Sequence, residues 1–267
     1  HEYARSALKQ GLAHEQQLGV NPFAFGMIGS SDMHTALSTT EEDNYFGKFV
    51  HDEPAPGRGQ MLMAKQLQKV WRLVSSGLAA VWAEENTRAG IFDAMKRREV
   101  YATTGTRISL RLFAGWDFDH ADLLTHDRAV RGYSNGVPMG GKLIPQPDHS
   151  GAPTFMIMAA KDPLGANLDR VQVVKGWVDA EGRQQERVYD VALSDQRQVD
   201  PNTGAASPVG NTVDLANATY SNSIGDPVLE TVWTDPDFDA NQSAFWYVRV
   251  LEIPTPRWTA YDAKRFE

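Results

Sequence analysis

The chain has 267 residues, of which 42% are hydrophobic and 22% charged, and a formal net charge of −8. This length and composition are typical of a globular protein with one large domain or two ordinary ones. The negative charge argues against a nucleic-acid partner, because that affinity depends on Lys and Arg neutralising phosphates. The chain has no cysteine, which excludes disulfides and thiolate metal ligands.

The sequence shows no recognisable membrane or targeting segment. No apolar run approaches the ~18–20 residues that a membrane span needs, so no membrane span is predicted. The sequence opens at His1 without a signal-peptide pattern. The localisation is unknown from the sequence, and both the cytoplasm and the periplasm stay open.

The first elements follow the order of an α/β unit. Residues 2–18 carry apolar side chains at intervals of three to four and end before Gly19, which predicts a helix. Residues 23–29 form a short apolar run that opens into a polar loop, the pattern of a buried strand. Helix, buried strand and polar loop in this order predict an α/β fold for the N-terminal part.

A long polar segment and two helices are predicted next. Residues 38–60 are rich in Pro, Gly and acidic groups, which predicts a surface loop of the length that often serves as a lid. Residues 61–82 alternate apolar and basic side chains at helical spacing, and residues 87–98 predict a further helix. Thr87 is the expected N-cap of that second helix.

From about residue 100 the hydrophobic period changes to that of strands. The predicted strands are residues 108–113, 154–159, 170–177, 185–193 and 244–251. Turn-forming clusters separate them and no helix pattern intervenes, which favours a β-sandwich. The predicted domains are therefore residues 1–105 and 106–267.

The motif that carries chemistry is Asp32-Met33-His34. In an extended segment residues i and i+2 project to the same side, so both side chains are expected to point at one site. A carboxylate oxygen and an imidazole nitrogen suit a divalent metal such as Zn, Mn or Fe. On spacing alone, a pair of surface turn residues explains the same tripeptide.

Several long segments resemble one bacterial family. They are YARSALKQGLAHEQQLGVNPFAFGMIGSSDMH, EEDNYFGKF, IFDAMKRREVYATTGTRI, DRVQVVKGWVD and AFWYVRVLEIPTPRW. They are similar to the family catalogued as domain of unknown function 3604, a relative of PHP-type phosphoesterases. The resemblance implies an α/β plus all-β fold, in which the C-terminal remnant of a PHP-like distorted (βα) barrel precedes a β-sandwich-like domain.

The same resemblance implies roles for Asp32 and His34. Residues 29–34 match the last metal-binding motif of PHP enzymes, where the Asp and the His are ligands of a multinuclear site. PHP proteins also carry a His-x-His motif on their first strand, and this chain has none. The chain resembles the C-terminal portion of the family, so the metal site is expected to be incomplete here.

Three further residues are candidates for binding a substrate. His51 lies in the predicted lid, and Thr104 and Arg107 follow the last helix of the first domain. The guanidinium of Arg107 suits a small anionic substrate. The alternatives are an ordinary loop residue for His51 and a surface ion pair for Arg107.

The sequence is therefore compatible with two functions. In the first, the chain is a fragment of a PHP-like metal-dependent hydrolase, of the phosphoesterase class by resemblance, and is inactive alone because two ligands cannot hold a catalytic metal. Its expected partner is the missing N-terminal barrel segment, or a second copy through self-association. In the second, it is a non-catalytic β-sandwich module for accessory or interaction roles.

Overall fold

The computed structural model describes residues 3–37, 39–62, 69–73, 75–145 and 151–266. The helices in this part of the chain are α1 Ala4–Leu18, α2 Val70–Leu73, α3 Arg88–Lys96, α4 His120–Leu124, α5 Arg128–Asn135 and α6 Trp258–Phe266. The strands are β1 Leu78–Val81, β2 Val100–Thr103, β3 Ser109–Gly115, β4 Gly136–Pro138, β5 Thr154–Ala160, β6 Leu168–Val178, β7 Gln184–Leu193, β8 Val228–Thr234 and β9 Ala244–Glu252. None of the described helices is long and apolar enough to cross a bilayer.

Every strand pair in the described residues is antiparallel. The sheets are β1–β2, β4–β3–β5–β8 and β7–β6–β9. The two larger sheets share one hydrophobic core, to which β5 contributes Phe155 and Ile157 while β6 contributes Val171 and Val173. The alternate spacing of these residues places them on the inner face of each sheet, as in a β-sandwich.

The five predicted strands are present in β3, β5, β6, β7 and β9. The strands β1, β2, β4 and β8 were not predicted. Three of these four have only three or four residues, which is too short for a hydrophobic period to be read from the sequence.

Helices α1 and α3 confirm two predictions. The Thr87 side chain caps α3 by accepting a hydrogen bond of 3.1 Å from the backbone amide of Gly90. Helix α1 lies against β6 and β7 of the three-stranded sheet. Its Arg5 and Lys9 both form ion pairs with Glu186 of β7, at 3.0 and 2.7 Å. These contacts join the two predicted domains across their boundary.

The predicted helix over residues 61–82 is wrong where the structure describes it. Residues 63–68 and 74 lie outside the described part, and the rest contains only the short helix α2 and the strand β1. Strand β1 forms because Leu78–Val81 pairs with β2. Gly77 lets this strand pass Ser30 closely, since a Cβ at Gly77 would lie 2.4 Å from the Ser30 carbonyl oxygen.

The predicted buried strand at residues 23–29 is also wrong. The segment belongs to none of the strands in the described residues, and Phe25 and Ile28 are 40% and 51% exposed. It runs beside the β1–β2 pair, where Arg98 donates a 2.8 Å hydrogen bond to the Ala24 carbonyl. A Cβ at Gly29 would lie 2.6 Å from the Leu78 and Thr103 carbonyl oxygens. The exposure of Phe25 and Ile28 shows that this apolar run is only partly buried.

The expected barrel remnant is not evident in the N-terminal part. A (βα) barrel consists of parallel strands, whereas the described residues up to 105 contain one antiparallel pair, β1–β2. No sheet in the described ranges closes into a barrel. The protein is a mixed α/β fold with antiparallel sheets.

Candidate functional site

Asp32 and His34 lie together at the surface. His34 Nε2 is 3.2 Å from Asp32 Oδ1, and the two side chains are 50% and 65% exposed, respectively. Their proximity does not come from a regular strand, because Asp32 has a φ of 54° in the left-handed region. A local turn therefore presents this carboxylate and imidazole to solvent.

Lys48 completes this surface cluster. Its ammonium forms an ion pair with Asp32 Oδ2, and its carbonyl accepts a 2.8 Å hydrogen bond from the His34 amide. The hydrogen bond from Lys48, and then that from His34, hold the pKa of the Asp32 carboxyl below its ordinary value. The anionic form of Asp32 is therefore favoured, and an ammonium stands beside it.

Phe49 links the two histidines of this region. Its ring centroid lies 4.7 Å from that of His34 and 5.3 Å from that of His51. His51 is 76% exposed and its Nε2 is 3.6 Å from Asp52 Oδ1. The Phe49 ring therefore contacts both His34 and His51. Its role in binding a substrate stays a prediction.

The segment predicted as a lid is anchored by a buried arginine. Arg58 is 3% exposed and donates hydrogen bonds of 2.6 Å to the carbonyl oxygens of Tyr45 and Asp52. It also donates to the Phe46 carbonyl and forms an ion pair with Asp262 of α6. These bonds fix the chain on both sides of Lys48, so the segment positions the cluster. It leaves Asp32 and His34 open to water.

Helix α6 supports this segment from the other end of the chain. Trp258, the first residue of α6, is buried beside Tyr45 and Val70 in a separate small core. Its backbone amide donates a 2.6 Å hydrogen bond to Glu42 Oε2. The guanidinium of Arg58 lies 4.6 Å from the centre of the Trp258 ring. The C-terminal helix therefore takes part in building the candidate site.

Thr104 and Arg107 are both exposed in the turn after β2. Arg107 Nη1 is 3.1 Å from Glu41 Oε1, and the Arg107 amide donates a 2.7 Å hydrogen bond to Asp162. This geometry corresponds to the surface ion pair named as the alternative. Contact of either residue with a substrate stays a prediction.

The donor types around Asp32 suit a divalent metal, but their number falls short. No group of three or more His, Cys, Asp or Glu side chains with metal-binding geometry occurs in the described residues, whereas catalytic zinc requires about three protein ligands. His14 packs near Phe23, and His120 and His126 are exposed elsewhere. His1 and His149 lie outside the described residues. The described residues therefore supply at most part of a metal site.

Sequence reasoning missed Lys48, Phe49 and Arg58. Arg58 in a Pro- and Gly-rich stretch resembles any surface arginine, and no local pattern indicates that it is buried. Lys48 and Phe49 belong to the segment EEDNYFGKF, but only the folded chain brings them to Asp32 and His34.

The protein is thus a mixed α/β fold that carries an Asp32–His34–Lys48 cluster near its surface. The chain belongs to the family described as protein of unknown function (DUF3604), whose model matches residues 1–267. No curated protein and no solved structure matches it.

Proposed function

We propose that the chain is part of a PHP-like metal-dependent hydrolase in which Asp32 and His34 supply two of the metal ligands. The observation that supports this is the 3.2 Å approach of an exposed carboxylate and an exposed imidazole. Both groups retain solvent-facing surface for further contacts. The metal type is Zn, Mn or Fe, since mixed oxygen and nitrogen donors suit these ions.

The position of the Lys48 ammonium beside Asp32 indicates that this carboxylate favours a cation. The ammonium pairs with Oδ2 of Asp32, the carboxylate that would be a ligand in this proposal. A divalent ion would displace Lys48 and gain a stronger electrostatic interaction with Asp32. In the absence of a metal, the same ammonium keeps the carboxylate compensated.

The remaining ligands are proposed to come from outside these residues, on a barrel segment or a second copy of the chain. A complete metal site would lower the pKa of a bound water and polarise a phosphoryl oxygen. The proposed substrates are phosphoesters. Arg107 and His51 are the residues of this chain that we propose to contact the anionic phosphate group. The chain alone is expected to be inactive.

The second candidate is a non-catalytic β-sandwich module. It is favoured by the main hydrophobic core of the described residues, which lies between the two larger sheets, and by the small number of ligand-type side chains around Asp32. In that case α1 and α6 serve to attach the sandwich to its neighbours, and the Asp32 cluster is a surface ion pair.

The two candidates are separated by titrating Zn²⁺ or Mn²⁺ into the protein by calorimetry. The hydrolase proposal expects weak, saturable binding that is lost in Asp32→Asn and in His34→Ala. His126→Ala is the matched control, because this histidine is exposed and outside the cluster. Absence of binding to the wild-type chain, or equal binding by His34→Ala, would favour the non-catalytic module.

Lys48→Met sharpens the test. Removal of the competing ammonium should strengthen metal binding about two- to fivefold, the factor that corresponds to a surface ion pair of ~0.5–1 kcal/mol. Hydrolysis of an aryl phosphate is expected to be negligible with every variant. Robust turnover that Asp32→Asn abolishes would contradict the expectation that this chain is inactive alone.

A further inference from the structure

A large cleft opens along the unpaired side of β9. Its volume is about 1020 Å³, at the upper end of small-molecule sites. Strand β9 pairs only with β6 in the described sheets, and residues 244–252 all line the cleft. The facing walls come from α1, residues 23–27 and the strands β2 and β3. Asp32, His34 and His51 are not among the lining residues, whereas Thr104, a predicted substrate contact, is one of them. The cleft therefore lies apart from the Asp32–His34 pair.

One face of β9 forms an apolar row that ends in a carboxyl group. Trp246, Val248 and Val250 pack at the margin of the sandwich core, and Glu252 follows in the same alternation. From Trp246 to Glu252 the row spans about 20 Å, at ~3.3 Å per strand residue. Phe155 contributes to the same wall, with its ring centroid 5.4 Å from that of Trp246. The cleft thus combines a long apolar wall with a carboxyl group at the Glu252 end of this row. Other charged residues, Glu15, Arg98, Lys142 and Arg249, also line the cleft.

The carboxyl of Glu252 lacks a full set of partners. Its Oε1 is buried and has no hydrogen-bond partner among the described residues, although the side chain as a whole is partly accessible. Asp162 adds a second negative charge nearby. Burial, and then repulsion by Asp162, raises the pKa of Glu252 to about 7, while Lys161 and Thr106 lower it in part. The charge of Glu252 also helps to raise the pKa of Tyr220, so this phenol lies within electrostatic range of the carboxyl.

The nearest cation does not satisfy Glu252. The ammonium of Lys161 donates its hydrogen bonds to the carbonyl oxygens of Asp162, Pro163 and Gly165, at 2.9, 3.3 and 2.9 Å. A positive hydrogen-bond donor placed at this end would find an acceptor and compensate the charge of two carboxyl groups. An anionic head group would meet repulsion there.

We propose that this cleft binds an elongated organic amine, with its apolar body along Trp246, Val248 and Val250 and its ammonium group at Glu252. The body gains free energy by leaving water for the apolar wall. The ammonium group forms a charge-assisted hydrogen bond, which is stronger than one between neutral groups. The indole ring of Trp246 at the other end of the row suits a large apolar or aromatic terminus.

The test compares decylamine, decanol and decanoate by calorimetry, because the three share one chain and differ in the head group. Decylamine is expected to bind about tenfold more tightly than decanol, the factor of one charged hydrogen bond, and decanoate more weakly than both. Hexylamine should bind more weakly than decylamine, by up to about fourfold for each methylene removed. Equal affinity for the three head groups, tighter binding of decanoate, or no saturable binding would overturn the proposal.

Two variants locate the amine head group. Glu252→Gln should reduce the preference for decylamine over decanol to near unity, while Glu15→Gln, at another part of the same cleft, should leave it unchanged. Retention of the preference in Glu252→Gln would overturn the assignment. Circular dichroism checks that the variants are folded, and the comparison of head groups on the wild-type chain decides the matter if Glu252→Gln does not fold.

Discussion

Replacing Arg58 should destabilise the protein more than any exposed arginine would. Arg58→Ala removes a guanidinium that is 3% exposed. This group forms an ion pair with the Asp262 carboxylate and donates hydrogen bonds to three backbone carbonyls. The variant leaves Asp262, 9% exposed, without its counter-charge. Breaking a buried ion pair in this way costs about 3–5 kcal/mol of unfolding free energy, a large share of the ~5–15 kcal/mol of a typical domain.

Urea unfolding followed by tryptophan fluorescence measures this loss, because Trp258 packs directly on the guanidinium. The matched control is Arg183→Ala. Arg183 is 67% exposed and pairs with Asp179 and Glu181 at the surface, so its loss should cost less than about 1 kcal/mol. The double variant Arg58→Ala/Asp262→Ala should cost less than the sum of its single variants, since the orphaned charge is gone.

The same variant reports on the candidate site. Arg58 fixes the chain on both sides of Lys48, whose hydrogen bond lowers the pKa of Asp32. Arg58→Ala should therefore raise the pKa of Asp32 toward its ordinary value, which an NMR titration of the carboxyl would measure. If Arg58→Ala unfolds with the same free energy as Arg183→Ala, the reasoning that Arg58 organises this segment is refuted.

Two further predictions concern buried charges in the sandwich. Folded Glu252 stays protonated up to a pKa of about 7, whereas in the unfolded chain it ionises near 4.5, so stability should fall as the pH rises between these values and then level off. Glu252→Gln should remove that fall and gain about 2 kcal/mol above the folded pKa, after allowance for partial solvent access; urea unfolding on both sides of the window checks it, and an unchanged pH profile would contradict it. Lys175, 2% exposed, pairs at 2.7 Å with the fully buried side chain of Asp235. Lys175→Met should cost about 3–5 kcal/mol, and Lys175→Met/Asp235→Asn should recover part of the loss in the same assay; no recovery would mean that Asp235 is compensated by other groups.

The candidate site was partly predictable. Asp32 and His34 were found from their spacing and from the family resemblance, and the structure brings them within hydrogen-bonding distance. The reason assumed for this proximity was strand alternation, but the backbone turns at Asp32 with a positive φ. Lys48 was missed because it reaches Asp32 across sixteen residues, and no local period encodes such a contact.

The sequence by itself determined those elements whose pattern repeats over many residues. The helix α1 and the strands β3, β5, β6, β7 and β9 follow from side-chain periodicity, which is a local property of the backbone geometry. The N-cap of α3 by Thr87 could also be predicted from the sequence, since the donor and the acceptor lie three residues apart.

The tertiary structure decided the position and burial of segments whose side chains show no clear periodicity. Residues 23–29 have the composition of a buried strand, yet they pair in none of the described sheets and are only partly buried. Arg58 and Lys175 are residue types that usually lie at the surface. They are buried here because each forms an ion pair with a carboxylate from a distant part of the chain. Burial of a charge depends on a partner that the fold brings from far along the chain, and for that reason the sequence alone could not reveal it.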